Sequence, residues 1–340
     1  MSRRSVVPPD PEAFGQLAET YRDELQLHCY RMLGSLHDAE DLVQETLVRA
    51  WRGFSGFDGR APVRSWLYRI ATNACLTALA RRATTRRLLP ELQGRPEEFA
   101  PLRAPETAVA WLEPYPDAAL ERITDPAPGP ETIYQTREAI QLAFIAAIQE
   151  LPPRQRAVLL LRDVLGWSAA ETSELLESSV ASVNSALQRS RTTLRRRFPS
   201  GRPETSSVSD DRQRELLERY VAAWERSDVD GFVAVLKEDA VWSMPPWPQW
   251  YVGRATIREF VTWAWRPESG RRQRLVPTAA NARPAFGYYR SERDSVEWRA
   301  FAIQALVLDD EGVAAVTNFV DSSLFPSFGL PLVMAREVDR

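Results

Sequence analysis

Apolar residues recur every three to four positions in two stretches of the first 90 residues, a spacing that predicts amphipathic helices. The stretch SLHDAEDLVQETLVRAW (35–51) forms one apolar stripe from Ala39, Leu42, Val43, Leu47, Ala50 and Trp51. Ser35 or Asp38 is suited to cap the N-terminus of this helix. A second helix is predicted from Val63 to Arg82, with an inward stripe of Val63, Leu67, Ile70, Ala74 and Leu79. The first part of the chain is therefore expected to be a helical bundle.

A second helical block is expected between residues 139 and 198. One helix precedes a proline pair, and another follows the pair and runs over 154–164. Ser168, with Glu171 three residues later, predicts a capping box at the start of a short helix. After a turn near Ser178 comes a long helix whose predicted buried stripe is Val180, Val183, Leu187 and Leu194. This succession of short and long helices predicts a helix-turn-helix.

The pattern changes again from Asp211 onward. Two helices, a strand and a loop are expected first, followed by a helix from Ala255. Strand-like runs then cover 297–310 and 312–321, with DDEG as the hairpin turn between them. Helices followed by a curved antiparallel sheet predict an α+β cone. The chain is thus expected to be multidomain, with two all-α domains and one α+β domain.

Charge is unevenly distributed along this slightly acidic chain, whose net charge is −3. Residues 61–87 hold six arginines and no acid, and residues 179–203 likewise hold six arginines and no acid. Between these blocks, residues 90–131 carry nine acids, nine prolines and three arginines. Basic surface free of acids is typical of nucleic-acid binding. The proline-rich stretch predicts an extended acidic linker rather than a packed domain.

Two helix faces carry residue types that suit DNA. The outward side of the 63–82 helix presents Arg64, Trp66, Arg69, Asn73 and Arg81. Guanidinium groups for phosphate, a ring for stacking and an amide for a base edge suit single-stranded DNA, although Trp66 fits the core equally well. The outward side of the last helix presents Ser182, Ser185, Gln188, Arg189, Thr192 and Arg196. Short polar groups followed by arginines fit insertion into a major groove.

Other chemistry is poorly represented. The two cysteines, Cys29 and Cys75, lie in helical stretches and are expected in the core, and neither a metal site nor a cofactor is predicted. There is no apolar run of 18 residues and no leader pattern, so we expect neither a membrane span nor secretion. His37 is the last histidine, which argues against histidine-dependent acid–base catalysis in the C-terminal part.

The motifs HDAEDLVQET, RSWLYRIATNACL, ELPPRQRAVLLLRDVLGWSAAETSELL and SVNSALQRSR resemble those of an extracytoplasmic-function (ECF) sigma factor of the sigma-70 family. The resemblance covers residues 12 to about 200 and implies sigma region 2 at 12–89, a linker at 90–134 and region 4 at 135–199. It implies a cytoplasmic initiation factor that binds the β′ clamp helices and β flap of RNA polymerase core and promoter DNA.

The resemblance also suggests roles for individual residues. The surface that docks on the clamp helices is implied to be Asp38, Asp41, Gln44 and Glu45. The loop from Phe57 to Arg60 and Asn73 are implied to capture a flipped base of the −10 element. Arg64, Trp66, Arg69 and Arg81, chosen above for their chemistry, are expected to bind the same element. The outward face of the last helix is implied to read the −35 element. Many family members carry an acid at the position of Thr77, so this chain departs from the family pattern there.

The C-terminal residues 209–340 resemble a SnoaL-like domain of the nuclear-transport-factor superfamily, chiefly through their pattern and YVGRATIREF. Five tryptophans between Trp242 and Trp265 either fill the cone and pack on the linker or line a small-molecule pocket. We expect a regulatory, non-catalytic domain, with MPPWPQW (244–250) as an aromatic loop that grips the linker or region 2. An anti-sigma factor and a small-molecule ligand both stay open as regulatory partners. The alternatives are a helix-turn-helix regulator acting without polymerase, and a cyclase or isomerase with a DNA-binding appendage.

Overall fold

The chain folds as two compact units. The computed structural model describes residues 11–57, 59, 62–81, 86–123, 139–197, 209–293 and 295–335. The first unit comprises Met1–Arg87 and Ala119–Pro203, and the second comprises Leu88–Ala118 and Glu204–Arg340. Residues 88–118, most of them predicted to form an extended linker, pack with the C-terminal domain.

Helices build the described part of the first unit, in agreement with the sequence patterns. In chain order they are α1 (Pro11–Leu33), α2 (Leu36–Gly53), α3 (Val63–Arg81), the one-turn α4 (Asp117–Glu121) at the boundary between the units, α5 (Leu142–Ile148), α6 (Pro153–Leu159), α7 (Ala169–Leu175) and α8 (Val180–Arg197). A π-helical turn at Leu160–Val164 continues α6. None of the helices in the described ranges is both long and apolar enough to cross a bilayer.

Local sequence signals set the helix ends. The Ser35 side chain accepts a hydrogen bond from the Asp38 amide and caps α2. Ser168 and Glu171 form the expected capping box, with Ser168 N to Glu171 Oε2 at 2.7 Å and Glu171 N to Ser168 Oγ at 3.1 Å. Each cap satisfies amides that have no partner within the helix. Both predicted cap positions are thus confirmed.

A buried arginine joins the two helical blocks of the first unit. Arg156 on α6 is fully buried and donates to the Met32 carbonyl at the end of α1. It also donates to Gln149 Oε1 at 2.6 Å, to the Gln149 carbonyl at 3.0 Å and to the Leu151 carbonyl at 3.2 Å. Burial lowers the pKa of Arg156 to about 10. The side chain stays charged at neutral pH and donates to three main-chain carbonyls and to one side-chain carbonyl, which gives this buried charge hydrogen-bond partners.

The second unit is an α+β cone, as expected. Its elements are α9 (Asp210–Glu225), α10 (Val229–Ala234), β1 (Leu236–Ser243), β2 (Trp250–Val252), α11 (Arg254–Ala264), β3 (Arg272–Ala280), β4 (Arg283–Ser291), β5 (Glu297–Asp309), β6 (Gly312–Phe319) and β7 (Val333–Ala335). The sheet order is β2-β1-β6-β5-β4-β3, with β7 paired to β5. The β1–β6 pair is parallel, whereas the other strand pairs are antiparallel. Aromatic rings fill the space between sheet and helices.

The β3–β4 hairpin is an element that the sequence pattern did not reveal. Prolines at 277 and 284 and several arginines hide the alternation expected of strands. Asn281 and Ala282 form its two-residue turn with positive φ values of 55° and 59°. Such a turn matches the twist of paired strands. By contrast, the predicted DDEG turn is present, with Asp309 Oδ1 accepting from the amides of Glu311 and Gly312.

Candidate nucleic-acid interface

The exposed face of α3 carries the side chains predicted to meet single-stranded DNA. Arg64, Arg69, Asn73 and Arg81 are exposed, while Trp66 is half-buried. The Trp66 ring lies 4.9 Å from the Phe57 ring, centroid to centroid, and 6.3 Å from that of Phe54. Trp66 therefore packs against these two rings and leaves part of its own ring exposed to solvent. Arg60 lies outside the described residues.

Glu24 on α1 fixes the position of Arg64. Arg64 Nε donates to Glu24 Oε1 at 2.6 Å, and the Tyr68 hydroxyl donates to the same oxygen at 2.8 Å. Burial lowers the pKa of Arg64, but the hydrogen bond and charge of Glu24 outweigh it and raise the pKa above its ordinary value. Arg64 is thus a pre-positioned cation. The sequence pattern did not reveal Glu24 because its partners lie 40 and 44 residues away.

Arg69 reaches the turn of the helix-turn-helix. Its guanidinium forms an ion pair with Glu177 at 2.6 Å, with both side chains exposed to solvent. Glu177 has a φ of 49° in the turn between α7 and α8. Close by, a cavity of about 600 Å³ is lined by Asn73, Leu76, Thr77, Ala80, Arg81, Arg154, Leu176 and Glu177. The structure thus joins the side of α3 that is predicted to face DNA to the second helical block.

The acidic face of α2 presents the residues predicted to bind polymerase. Asp41, Gln44 and Glu45 are exposed, and Glu45 pairs with Arg49 at 2.6 Å. Asp38 differs from these, because it is half-buried and forms an ion pair with Arg87. The solvent-exposed part of this face is therefore centred on Asp41, Gln44 and Glu45.

Helix α8 presents the polar face that its sequence predicted. The side chains of Ser182, Ser185, Gln188, Arg189, Thr192 and Arg196 are all exposed. Ser179 Oγ accepts from the Ser182 amide at 3.1 Å near the helix start, and Thr192 Oγ1 donates to the Gln188 carbonyl at 2.9 Å. Within the described residues, neither Arg189 nor Arg196 forms an ion pair, whereas Arg191 pairs with Asp163.

The prediction of the buried stripe of α8 is wrong at one residue. Val180 is 43% exposed, because it occupies the first turn, whereas Ser190 is fully buried further along. Ser190 Oγ donates to the carbonyls of Ala186 at 2.9 Å and Gln155 at 3.1 Å. The buried face thus continues through a hydrogen-bonded serine that hydrophobicity alone does not reveal.

In the second unit, the linker lies on the C-terminal domain in two places. Residues 111–117, here the anchor, hold Trp111, Leu112 and Tyr115 in buried positions. Tyr115 N donates to Asn281 Oδ1, and Asn281 N donates to the Tyr115 carbonyl, both at 2.9 Å. Residues 97–106, here the strap, lie along the loop 246–251. This loop falls largely within MPPWPQW, so the expectation that it grips the linker is confirmed.

The tryptophans of the second unit divide between core and strap. Trp242 is buried and stacks on Trp224 with ring centroids 5.8 Å apart, and Trp265 meets the Trp224 edge at 5.1 Å. Trp247 Nε1 donates to the Arg103 carbonyl at 2.8 Å, and Trp263 lies 6.1 Å from Phe99. These positions confirm the interpretation that the tryptophans fill the cone and pack on the linker.

Comparisons with known proteins agree with this architecture. The family Sigma-70 region 2 matches residues 17–85, Sigma-70 region 4 matches 141–194, and the SnoaL-like domain matches 217–319. The ECF RNA polymerase sigma factor SigG of Mycobacterium tuberculosis is 45% identical over 319 residues, covering 94% of this chain and 84% of SigG. SigW of Bacillus subtilis is 30% identical over 195 residues, covering 57% of this chain and 94% of SigW.

A solved structure shares the whole fold. The crystal structure of the Mycobacterium tuberculosis ECF sigma factor SigJ covers 94% of this chain and 99% of its own, with a TM-score of 0.58 and 20% sequence identity. Two sigma regions and a SnoaL-like domain thus occur here in one chain. These domains, together with the 45% sequence identity to SigG, show that the chain belongs to the extracytoplasmic-function sigma factors of RNA polymerase.

Proposed function

We propose that region 2 (12–89) binds RNA polymerase core and the −10 element, and that region 4 (135–199) reads the −35 element. The observation that supports this division is the difference in charge between the exposed helix faces. The α2 face is acidic, whereas α3 and α8 present arginine and polar side chains. Acids suit a protein partner with basic surface, and arginines suit phosphate. Since both partners are in the cytoplasm, we place the protein there.

The core-docking face is tested by charge reversal. Asp41→Arg together with Glu45→Arg is expected to abolish co-purification with RNA polymerase core, since both side chains are exposed and their replacement opposes charge complementarity. Glu259→Arg with Glu268→Arg on the second unit is the matched control, because these acids are also exposed. Core binding retained by the first variant, with its melting temperature unchanged, overturns the assignment.

We further propose that residues 209–340 regulate initiation rather than catalyse a reaction. Supporting this, the cone interior is filled by packed rings, including Tyr220, Trp224, Trp242 and Phe286. In addition, the linker between the two sigma regions packs on this domain. A domain that holds the linker constrains how the two DNA-reading regions are presented. Regulation through the linker therefore needs no catalytic group.

A further inference from the structure

The strap is held on the second unit mainly through its main chain. Two strap amides donate to loop carbonyls, Glu97 N to Trp250 O at 3.0 Å and Glu106 N to Pro246 O at 2.9 Å. Gln249 forms two hydrogen bonds with the strap: its Oε1 accepts from Arg103 N at 2.7 Å, and its Nε2 donates to Pro101 O at 3.4 Å. Trp247 and Tyr251 donate to the carbonyls of Arg103 at 2.8 Å and Ala100 at 3.3 Å.

Two apolar strap side chains supply selectivity. Phe99 and Leu102 are half-buried against the core of the cone, and Phe99 faces Trp263. They are three residues apart and separated by Ala100 and Pro101. Main-chain hydrogen bonds for affinity and spaced side-chain contacts for selectivity are the way protein domains recognise extended peptides.

The side chains that hold the strap are specialised for that contact. Gln249 is buried, and its side chain forms hydrogen bonds with two strap residues, Arg103 and Pro101. Burial raises the pKa of Tyr251 to about 12, with the charge of Glu97 adding to the effect, so its hydroxyl remains a donor at neutral pH. Buried polar groups need partners. The loop is therefore built to be covered by a peptide main chain.

Strap and anchor differ in how firmly they are bound. The anchor buries Trp111, Leu112 and Tyr115 almost completely. In the strap, by contrast, Glu98, Ala100, Pro101, Arg103, Ala104, Pro105 and Glu106 are exposed. Segments with few buried apolar contacts open at low free-energy cost. The anchor keeps a released strap nearby, at an effective concentration of roughly millimolar.

From this contrast we propose that loop 246–251, with Trp263, is an exchangeable binding site for extended peptides. Its resident ligand is the strap, and its selectivity is for an aromatic residue followed three positions later by leucine. The inference rests on the proposed regulatory role of the domain and gives that role a means: release of the strap frees residues 97–106 of the linker while the anchor stays bound. Peptide binding is measured without transcription, so its failure is distinguishable from failure of the proposed function.

The test uses a fluorescein-labelled peptide of residues 95–108 and the full chain. The double substitution Phe99→Asp with Leu102→Asp weakens the binding of the resident strap. The peptide is therefore expected to bind this variant at least about tenfold more tightly than it binds the wild-type chain. In wild type the resident strap competes at roughly millimolar effective concentration. Adding Gln249→Ala to the weakened chain should reduce peptide affinity at least about tenfold, since two hydrogen bonds are lost. A peptide carrying the same two aspartates is the matched control and should not bind.

Hydrogen exchange of the wild-type chain gives a second measurement that does not depend on these variants folding. The amides of Glu97, Arg103 and Glu106 should exchange at least about a hundredfold faster than those at the centre of β5, such as Leu306. Gln249→Ala should accelerate the Arg103 amide and leave Leu306 unchanged. Protection of the strap equal to that of β5, or absence of peptide binding to the folded strap-weakened chain, overturns the proposal.

Discussion

At the scale of single residues, the ion pair between Arg69 and Glu177 links the two predicted DNA-reading elements. Both side chains are exposed, so the pair contributes little to stability, about 0.2–1 kcal/mol. We expect its consequence to be functional, because Glu177 competes with phosphate for the guanidinium of Arg69. Glu177→Gln is expected to raise the affinity of the free protein for random 12-nucleotide single strands about two- to fivefold, measured by fluorescence anisotropy.

Glu174→Gln is the control for this change. Glu174 is exposed on the preceding helix, and its replacement alters net charge by the same amount. If both variants gain affinity equally, the effect is general electrostatics, and the specific role of the pair is refuted.

A buried histidine makes the first unit sensitive to acid. His28 is 2% exposed and its Nε2 lies 2.9 Å from Thr72 Oγ1. Burial, followed by the charge of Arg31, lowers the pKa of His28 from 6.5 to about 3. Between these values the unfolded chain binds a proton that the folded chain does not, so stability is full above about pH 6.5 and falls as the pH drops towards 3.

His28→Gln is expected to remove this dependence. From pH 7 to pH 5 the wild type should lose about 2 kcal/mol more free energy of unfolding than the variant. Urea unfolding of both chains at the two pH values measures the difference. Parallel losses in the two proteins contradict the placement of a neutral His28 in the core.

At the scale of elements, α8 separates a buried side from an exposed polar side. Val183, Ala186, Leu187 and Ser190 are buried, while Arg189 and Arg196 point to solvent. Positions near the start of a recognition helix meet base edges, whereas positions further along meet the backbone. The two arginines are therefore expected to make different contributions to promoter binding.

We predict that Arg189→Ala weakens binding at the −35 element by about 1–3 kcal/mol relative to a scrambled sequence. Arg196→Ala should weaken both sequences alike and reduce the salt dependence of binding. Holoenzyme binding to a −35 sequence selected from a random library, and to its scrambled form, measures both effects. Identical behaviour of the two variants on both duplexes shows that the reading face is assigned incorrectly.

At the scale of the whole molecule, linker residues up to Ala118 belong to the fold of the second unit. Truncation after residue 203 removes Asn281 and Ala282, which form hydrogen bonds with Tyr115 and Asp117 of the anchor. The fragment is expected to keep polymerase binding but to transcribe differently from the full chain in vitro. Trypsin should cleave it after Arg103, which is followed by Ala104, at least about tenfold faster than the full chain, as measured by mass spectrometry. Equal cleavage rates and equal transcription contradict control through the linker.

The sequence by itself determined the helices, the caps and the chemical character of each exposed face. These properties are local: helical periodicity, a serine three residues before a glutamate, and arginine-rich stretches without acids all act within a few residues. Ser35, Ser168 and the outward residues of α8 are accordingly where the pattern predicted them. The family resemblance supplied the assignment of these faces to polymerase and promoter.

Only the tertiary structure decided which distant residues meet. Glu24 with Arg64, Glu177 with Arg69, and Gln249 with the strap are 40, 108 and 146 residues apart along the chain. No periodicity encodes such pairs, because they depend on how the elements pack. The linker shows the same limit, since its prolines and acids predict an extended chain in isolation. Its aromatic anchor becomes buried once the β3–β4 turn supplies hydrogen-bond partners for Tyr115, which is a property of the folded unit and not of the segment.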